Sequence, residues 1–178
     1  MSVLDISVLQ AVETKLGDIV ELPRRKNIRL KEYDYSSNGA YFLTICVKEK
    51  SELLGAINVG ANCVRPVLSD IGQTVEGEIA TLSKTYEGIV VDKFIIMPNH
   101  IHMIIIIDYE QERTQFAPTI SRIVKQFKGA ITKQIGYSIW QRSYNDHIIR
   151  NKEDYLRIWQ YIEENPAKWT DDEYHVHT

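Results

Sequence analysis

The chain has 178 residues, 44% of them hydrophobic and 25% charged, which suits one folded domain with a real core. Its longest apolar run, Met103 to Ile107, is five residues long, far short of a membrane span of roughly 20. Two cysteines without a CxxC spacing argue against a zinc knuckle and fit a reducing, cytoplasmic setting.

The N-terminus lacks a basic region followed by an apolar core, so no signal peptide is expected. Residues 3–17 carry an amphipathic pattern (Val3, Leu4, Ile6, Leu9, Val12, Leu16) and read as a short helix. Residues 1–22 are expected to be an extension on a single domain spanning 23–178. A basic arm follows, with Arg24, Arg25, Lys26 and Arg29. Ser36-Ser37-Asn38-Gly39 marks a turn, and 40–47 reads as a strand. A weaker, Gly-interrupted strand is expected within 54–64.

From Val67 to Tyr86 the apolar residues recur at helical spacing, and Gly88 follows as a stop. Two apolar β-runs, 89–97 and 100–107, flank Pro98-Asn99 and predict a hairpin. Residues 119–135 predict a helix with Ile120, Ile123, Val124, Phe127, Ile131 and Ile135 on one face. Residues 138–149 read as a strand. Asn151 caps a last helix running to about Asn165, where Pro166 discourages continuation. The expected order is ββαββαβα, an α+β fold with an antiparallel sheet covered by helices.

The net charge of −3 speaks against nucleic acid, but its distribution does not. Residues 21–50 carry a balance of +3 and residues 113–157 one of +6. Such asymmetry fits a local phosphate-binding surface on an acidic protein, as well as solvated helix faces.

His100 and His102 stand two apart in the apolar run, so their side chains share one face of a strand. Buried imidazoles need partners for their ring nitrogens, and a divalent metal meets that need. Tyr161 and Asn165 stand four apart on a helical stretch and share its face. From spacing alone Asn165 also reads as a helix terminator, and Glu164 is an alternative oxygen ligand. A histidine pair with a helical tyrosine and a nearby oxygen is the equipment of a metal-dependent tyrosine nuclease. A histidine-triad hydrolase would want a third histidine at position 104, which is Ile104. His147 reads as a structural strand histidine or an outer partner of the site. His175 and His177 repeat the spacing in a tail that is expected to be exposed. Trp140 and Tyr144 are candidates for base stacking or core.

Three ordered motifs meet a known family. The His100–His102 strand, the segment from Trp140-Gln141-Arg142 to Asp146-His147-Ile148-Ile149-Arg150-Asn151, and Tyr161-Ile162-Glu163-Glu164-Asn165-Pro166 resemble the REP-associated tyrosine transposases. These are relatives of the single-tyrosine HUH transposases. The opening from Arg24 to Phe42 also looks like theirs, so the resemblance spans roughly 23–169.

The resemblance implies a ferredoxin-like sheet with the HUH strand central. It implies His100 and His102 as metal ligands, Asn165 as the third, and Tyr161 as nucleophile. It implies a metal-dependent single-stranded DNA endonuclease and strand transferase, acting near hairpins through a 5′-phosphotyrosine with Mg²⁺ or Mn²⁺. Candidate DNA contacts are Arg24, Arg25, Lys26, Arg29, Lys125, Lys128, Lys133, Arg142 and Arg150. The alternative is a catalytically weak or domesticated hairpin-binding protein derived from a transposase. Monomer and homodimer both stay open.

Overall fold

A computed structural model describes residues 34–58, 65–109 and 118–175. The helix expected over 3–17, the 1–22 extension, Arg24, Arg25, Lys26, Arg29, Cys63 and His177 lie outside them.

Among the described residues, six strands and three α-helices follow in chain order. They are β1 (Gly39–Cys46), β2 (Gly55–Ile57), β3 (Pro66–Leu68), α1 (Asp70–Thr85), β4 (Ile89–Ile96), β5 (His100–Ile107), α2 (Ile120–Ile135), β6 (Asn145–Ile149) and α3 (Lys152–Glu164). A 3-10 helix, Asn165–Asp171, continues from α3. The main sheet has the order β4-β5-β1-β6, and its pairings are all antiparallel. Apart from the small β2–β3 ribbon, the connectivity is β1-α1-β4-β5-α2-β6, the expected ferredoxin-like α+β arrangement.

Alternation along the strands makes a three-layer molecule. Tyr41, Leu43 and Ile45 of β1 and Ile101, Met103, Ile105 and Ile107 of β5 face one cluster, with Val75 and Ile79 of α1 and Ile123 and Phe127 of α2. The intervening residues, Ala40 and Phe42 of β1 and Ile104 and Ile106 of β5, pack against Ile158 and Ile162 of α3 on the opposite face. Strand β5 is therefore covered on both sides, which explains why its sequence is apolar almost throughout. Each fully buried isoleucine there contributes roughly 1.5–3 kcal/mol. His100 and His102 lie in phase with Ile104, on the α3 face.

The helices begin where side-chain oxygens meet their first free amides. Ser69 accepts from the Gly72 amide, Thr119 from that of Arg122 and Asn151 from that of Asp154. Gly136, at φ +85°, closes α2 in the left-handed region.

Two expectations need correction. Val67 and Leu68 are not the first turn of a helix but part of strand β3, paired with β2. Val67 and Leu68 fit the helical spacing, yet Ser69 occupies the cap and fixes the start at Asp70. The strand expected over 138–149 is only Asn145–Ile149. Upstream of it Ile139 and Trp140 enter the core, Trp140 bridges to Val47, and Lys128 donates to the carbonyls of Gln141 and Ser143. Those carbonyls are turned to an ammonium rather than to a neighbouring strand. Among the described residues, no helix is long and apolar enough to cross a membrane.

Candidate metal and tyrosine site

The site forms where the N-terminal end of β5, the middle of β1 and the end of α3 meet. His100 and His102 are buried at 0% and 1% exposure, and their Nε2 atoms lie 3.0 Å apart. The outer nitrogens are tied back. His100 Nδ1 lies 2.8 Å from Asn99 Oδ1, and His102 Nδ1 lies 2.9 Å from Thr44 Oγ1. The β1–β5 register sets the second contact, since Thr44 stands opposite His102.

Asn99 leaves His100 little choice of tautomer. Its Nδ2 donates to the carbonyls of Lys50 and Tyr174 at 3.0 and 2.8 Å, so its Oδ1 must accept. The proton therefore sits on His100 Nδ1, and the Nε2 lone pair faces the site. Thr44 is more permissive, because a hydroxyl both donates and accepts. When it donates, His102 carries its proton on Nε2 and satisfies His100. When it accepts, both Nε2 lone pairs are free for a cation.

Burial holds both imidazoles neutral. It pulls His100 down to about 4, with Asp172 opposing and Lys50 assisting. Burial, and then His100 itself, pushes His102 well below the usual histidine range. Neutral imidazole is the metal-binding form.

Tyr161 enters from α3, its ring 40% exposed and its hydroxyl 3.2 Å from His102 Nε2. The ring packs edge-on against Phe42, with centroids 6.1 Å apart. Burial, followed by the negative charge of Asp172, raises its pKa above the ordinary tyrosine value, while a hydrogen bond from Asn165 opposes the rise. The phenol is thus protonated at neutral pH.

The sequence expectation brought His100, His102, Tyr161 and Asn165 to one place, and the structure does so. Asn165 is 2% exposed, and its Oδ1 is buried without a hydrogen-bond partner. Its Nδ2 donates to Asp172 Oδ2 at 2.8 Å. Asp172 was not foreseen. Its carboxylate and the two histidines bring ligand atoms within 4.8 Å of one another, so this group could hold a metal ion. Two neutral imidazoles, a carboxylate and an orphaned amide oxygen suit a divalent cation. Tyr174 was also missed: its ring lies 4.6 Å from that of His100, and burial leads its pKa up to about 12. Asn99 and Thr44 belong with these, found only through the register and the turn.

A cleft of about 540 Å³ opens beside Tyr161, lined also by Phe42, His102, His147, Arg157 and Tyr174. His147 stands at its wall, its Nε2 2.7 Å from Asp154 Oδ2, and the same carboxylate holds Arg157 at 2.6 Å. It touches the cleft rather than the other histidines.

Other candidates are placed elsewhere. Glu164 is no ligand, because its carboxylate binds Gln160 and Lys168 at 2.6 Å each and lines a different cleft with Arg65 and Lys93. Lys128 is not a free phosphate contact: its ammonium is half-buried on two carbonyls, and burial draws its pKa down to about 8. Trp140, 3% exposed, belongs to the core and cannot stack on a base. Tyr144 is half-buried against that core. His175 is not an exposed tail residue; its ring packs 4.8 Å from that of Trp169. Lys125, Lys133, Arg142 and Arg150 are exposed.

No family model matches the chain. It is 36% identical over 173 residues to an "Uncharacterized protein" of Haemophilus influenzae, covering 85% of this chain and 93% of that one, and belongs to one family with it. It is 27% identical over 146 residues to a "Putative REP-associated tyrosine transposase" of the same organism, covering 76% of this chain and 74% of that protein. A solved structure of a REP-associated tyrosine transposase bound to a REP hairpin matches with a TM-score of 0.58 at 23% identity. That match covers 79% of this chain and 74% of the other, and the likeness is one of fold.

Proposed function

We propose that this chain, a relative of the REP-associated tyrosine transposases, cleaves and rejoins single-stranded DNA near hairpins, with Tyr161 as nucleophile and His100 and His102 as metal ligands. The observation that carries this reading is the Tyr161 hydroxyl at 3.2 Å from His102 Nε2, itself 3.0 Å from His100 Nε2. One chain supplies all three groups.

A bound Mg²⁺ or Mn²⁺ would neutralise charge building on the scissile phosphate. His100 and His102 would hold it as neutral imidazoles, and the Asn99 and Thr44 contacts keep their rings in place. Tyr161 Oη attacks phosphorus in line; the P–O3′ bond breaks and the 3′-oxygen takes up a proton. The phenol proton leaves to water or a base during the attack. A 5′-phosphotyrosine keeps the bond energy, so the 3′-OH of another strand can displace Tyr161 and join the ends. No nucleoside triphosphate is consumed.

Arg157 precedes Tyr161 by one helical turn and lines the same cleft as His147. Both meet the phosphate backbone as it passes the nucleophile. Lys125, Arg142 and Arg150 are further phosphate contacts on the exposed surface.

The test incubates the full chain and Mn²⁺ with hairpin oligonucleotides drawn from inverted repeats flanking the gene. A protein–DNA adduct that survives denaturing electrophoresis is expected. Absence of any adduct across the whole set overturns the reading.

A further inference from the structure

We propose that Asp154 is a positioning residue, a single carboxylate that aims Arg157 and His147 together at a phosphate of the DNA strand passing Tyr161. The inference rests on the DNA-cleaving reading above and names what organises its phosphate contacts.

Three side chains from two elements make the cluster. His147 Nε2 donates to Asp154 Oδ2 at 2.7 Å, and Arg157 Nη2 donates to Oδ1 at 2.6 Å. The Asp154 side chain is 16% exposed, against 49% for His147 and 73% for Arg157. The acid therefore lies beneath, and the two basic groups stand outermost, where a polyanion meets them. Arg157, and then His147, hold the Asp154 carboxyl below the usual carboxylate range, so it stays ionised as their anchor.

Position ties the cluster to the nucleophile. Asp154, Arg157 and Tyr161 follow at i, i+3 and i+7 and share one face of α3. His147 stands opposite Phe42 in the β1–β6 register. The Phe42 ring in turn packs against both His102 and Tyr161, with centroids 5.2 and 6.1 Å away. His147, Arg157 and Tyr161 line one cleft. The Asn151 side chain caps the Asp154 amide, fixing the helical turn from which the carboxylate reaches β6.

The chemistry suits a phosphodiester. A carboxylate only accepts, so His147 carries a proton on Nε2 and keeps Nδ1 for a ligand. As imidazolium it donates from Nδ1 to a phosphate oxygen. Arg157 spends one N–H on Asp154, and its exposed fork keeps donors for two more oxygens. Holding both groups in place before DNA arrives lowers the ordering cost of binding. Stability does not account for the arrangement. Ile158 and Ile162 already seat α3, and exposed ion pairs add little.

Fluorescence anisotropy on the full chain tests this, with the fold of each variant checked by circular dichroism. The probe is a labelled DNA hairpin with single-stranded flanks, in EDTA so that no cleavage intervenes. Arg157→Ala should weaken binding about tenfold and lower the salt slope by about one. Asp154→Ala removes a negative charge beside the DNA, which on charge alone would tighten binding. The positioning role demands the reverse: about fivefold weaker binding, both in Asp154→Ala and in Asp154→Leu, which keeps the side-chain size. With Arg157→Ala and His147→Ala already in place, Asp154→Ala should no longer weaken binding. Equal or tighter binding by a folded Asp154→Ala or Asp154→Leu variant, while the wild type binds, overturns the positioning role alone. A wild-type chain that binds no hairpin DNA overturns the functional reading as well.

Discussion

The hydroxyl of Tyr161 sits 3.2 Å from Nε2 of His102, across 59 residues of sequence and from a helix to the strand beneath it. Ile158 and Ile162 seat α3 on Ile104, two residues beyond His102, so one apolar contact both folds the helix and aims the phenol. Tyr161→Phe retains the ring contact with Phe42 and removes only a partly exposed hydroxyl. It should abolish the covalent DNA adduct, leave hairpin binding in a gel-shift assay unchanged, and alter stability by less than about 1 kcal/mol. Cleavage retained in this variant would indicate water as the nucleophile.

Metal-free protein should lose stability as pH falls. His100 stays neutral in the fold down to about 4, whereas an unfolded histidine protonates near the ordinary imidazole value of 6.5. Between those values the unfolded chain binds more protons, so stability is full above pH 6.5 and declines toward pH 4. His102 adds to it in the same direction, because burial lowers it too. Urea denaturation followed across this range checks the slope, and His100→Gln should flatten it.

Thr44 supports the site from the neighbouring strand. Thr44→Val preserves shape and removes the partner of His102 Nδ1. Divalent-metal affinity should drop about tenfold, the usual effect of losing a ligand's outer hydrogen bond. Stability should fall by about 1–2 kcal/mol. Calorimetry and chemical denaturation read the two effects separately.

The histidine pair, the β4–β5 hairpin, the amphipathic face of α2 and the Asn151 cap of α3 were legible because each is a local pattern. Asn165 was legible as one turn beyond Tyr161. The β2–β3 ribbon was only half legible, since Val67 and Leu68 continue the spacing of α1 while pairing with Gly55 and Ala56. Asp172 and Tyr174 were not legible at all. They reach the histidines through a 3-10 turn and a buried Trp169, and nothing in an acidic tail announces such a path. Trp140 was left open between base stacking and core, because whether an aromatic meets solvent or core depends on the loop carrying it; it lies in the core.

Two glycines of opposite surroundings offer a check on the packing. A Cβ on Gly72 would meet the Leu54 carbonyl oxygen at 2.0 Å, backbone that cannot swing aside. Gly72→Ala should cost about 1–3 kcal/mol. Gly129, mid-way along α2, has nothing within 4 Å of its would-be Cβ. Gly129→Ala should instead stabilise the protein by up to about 1 kcal/mol. Thermal unfolding of the two variants gives the signs.

The most direct measurement is peptide mapping of the covalent DNA adduct. After nuclease trimming and proteolysis, mass spectrometry locates the residual nucleotide on one peptide. The account predicts a phosphodiester on Tyr161. Attachment to Tyr174, whose ring lies 4.6 Å from that of His100, would contradict it and transfer the chemistry to the C-terminal segment.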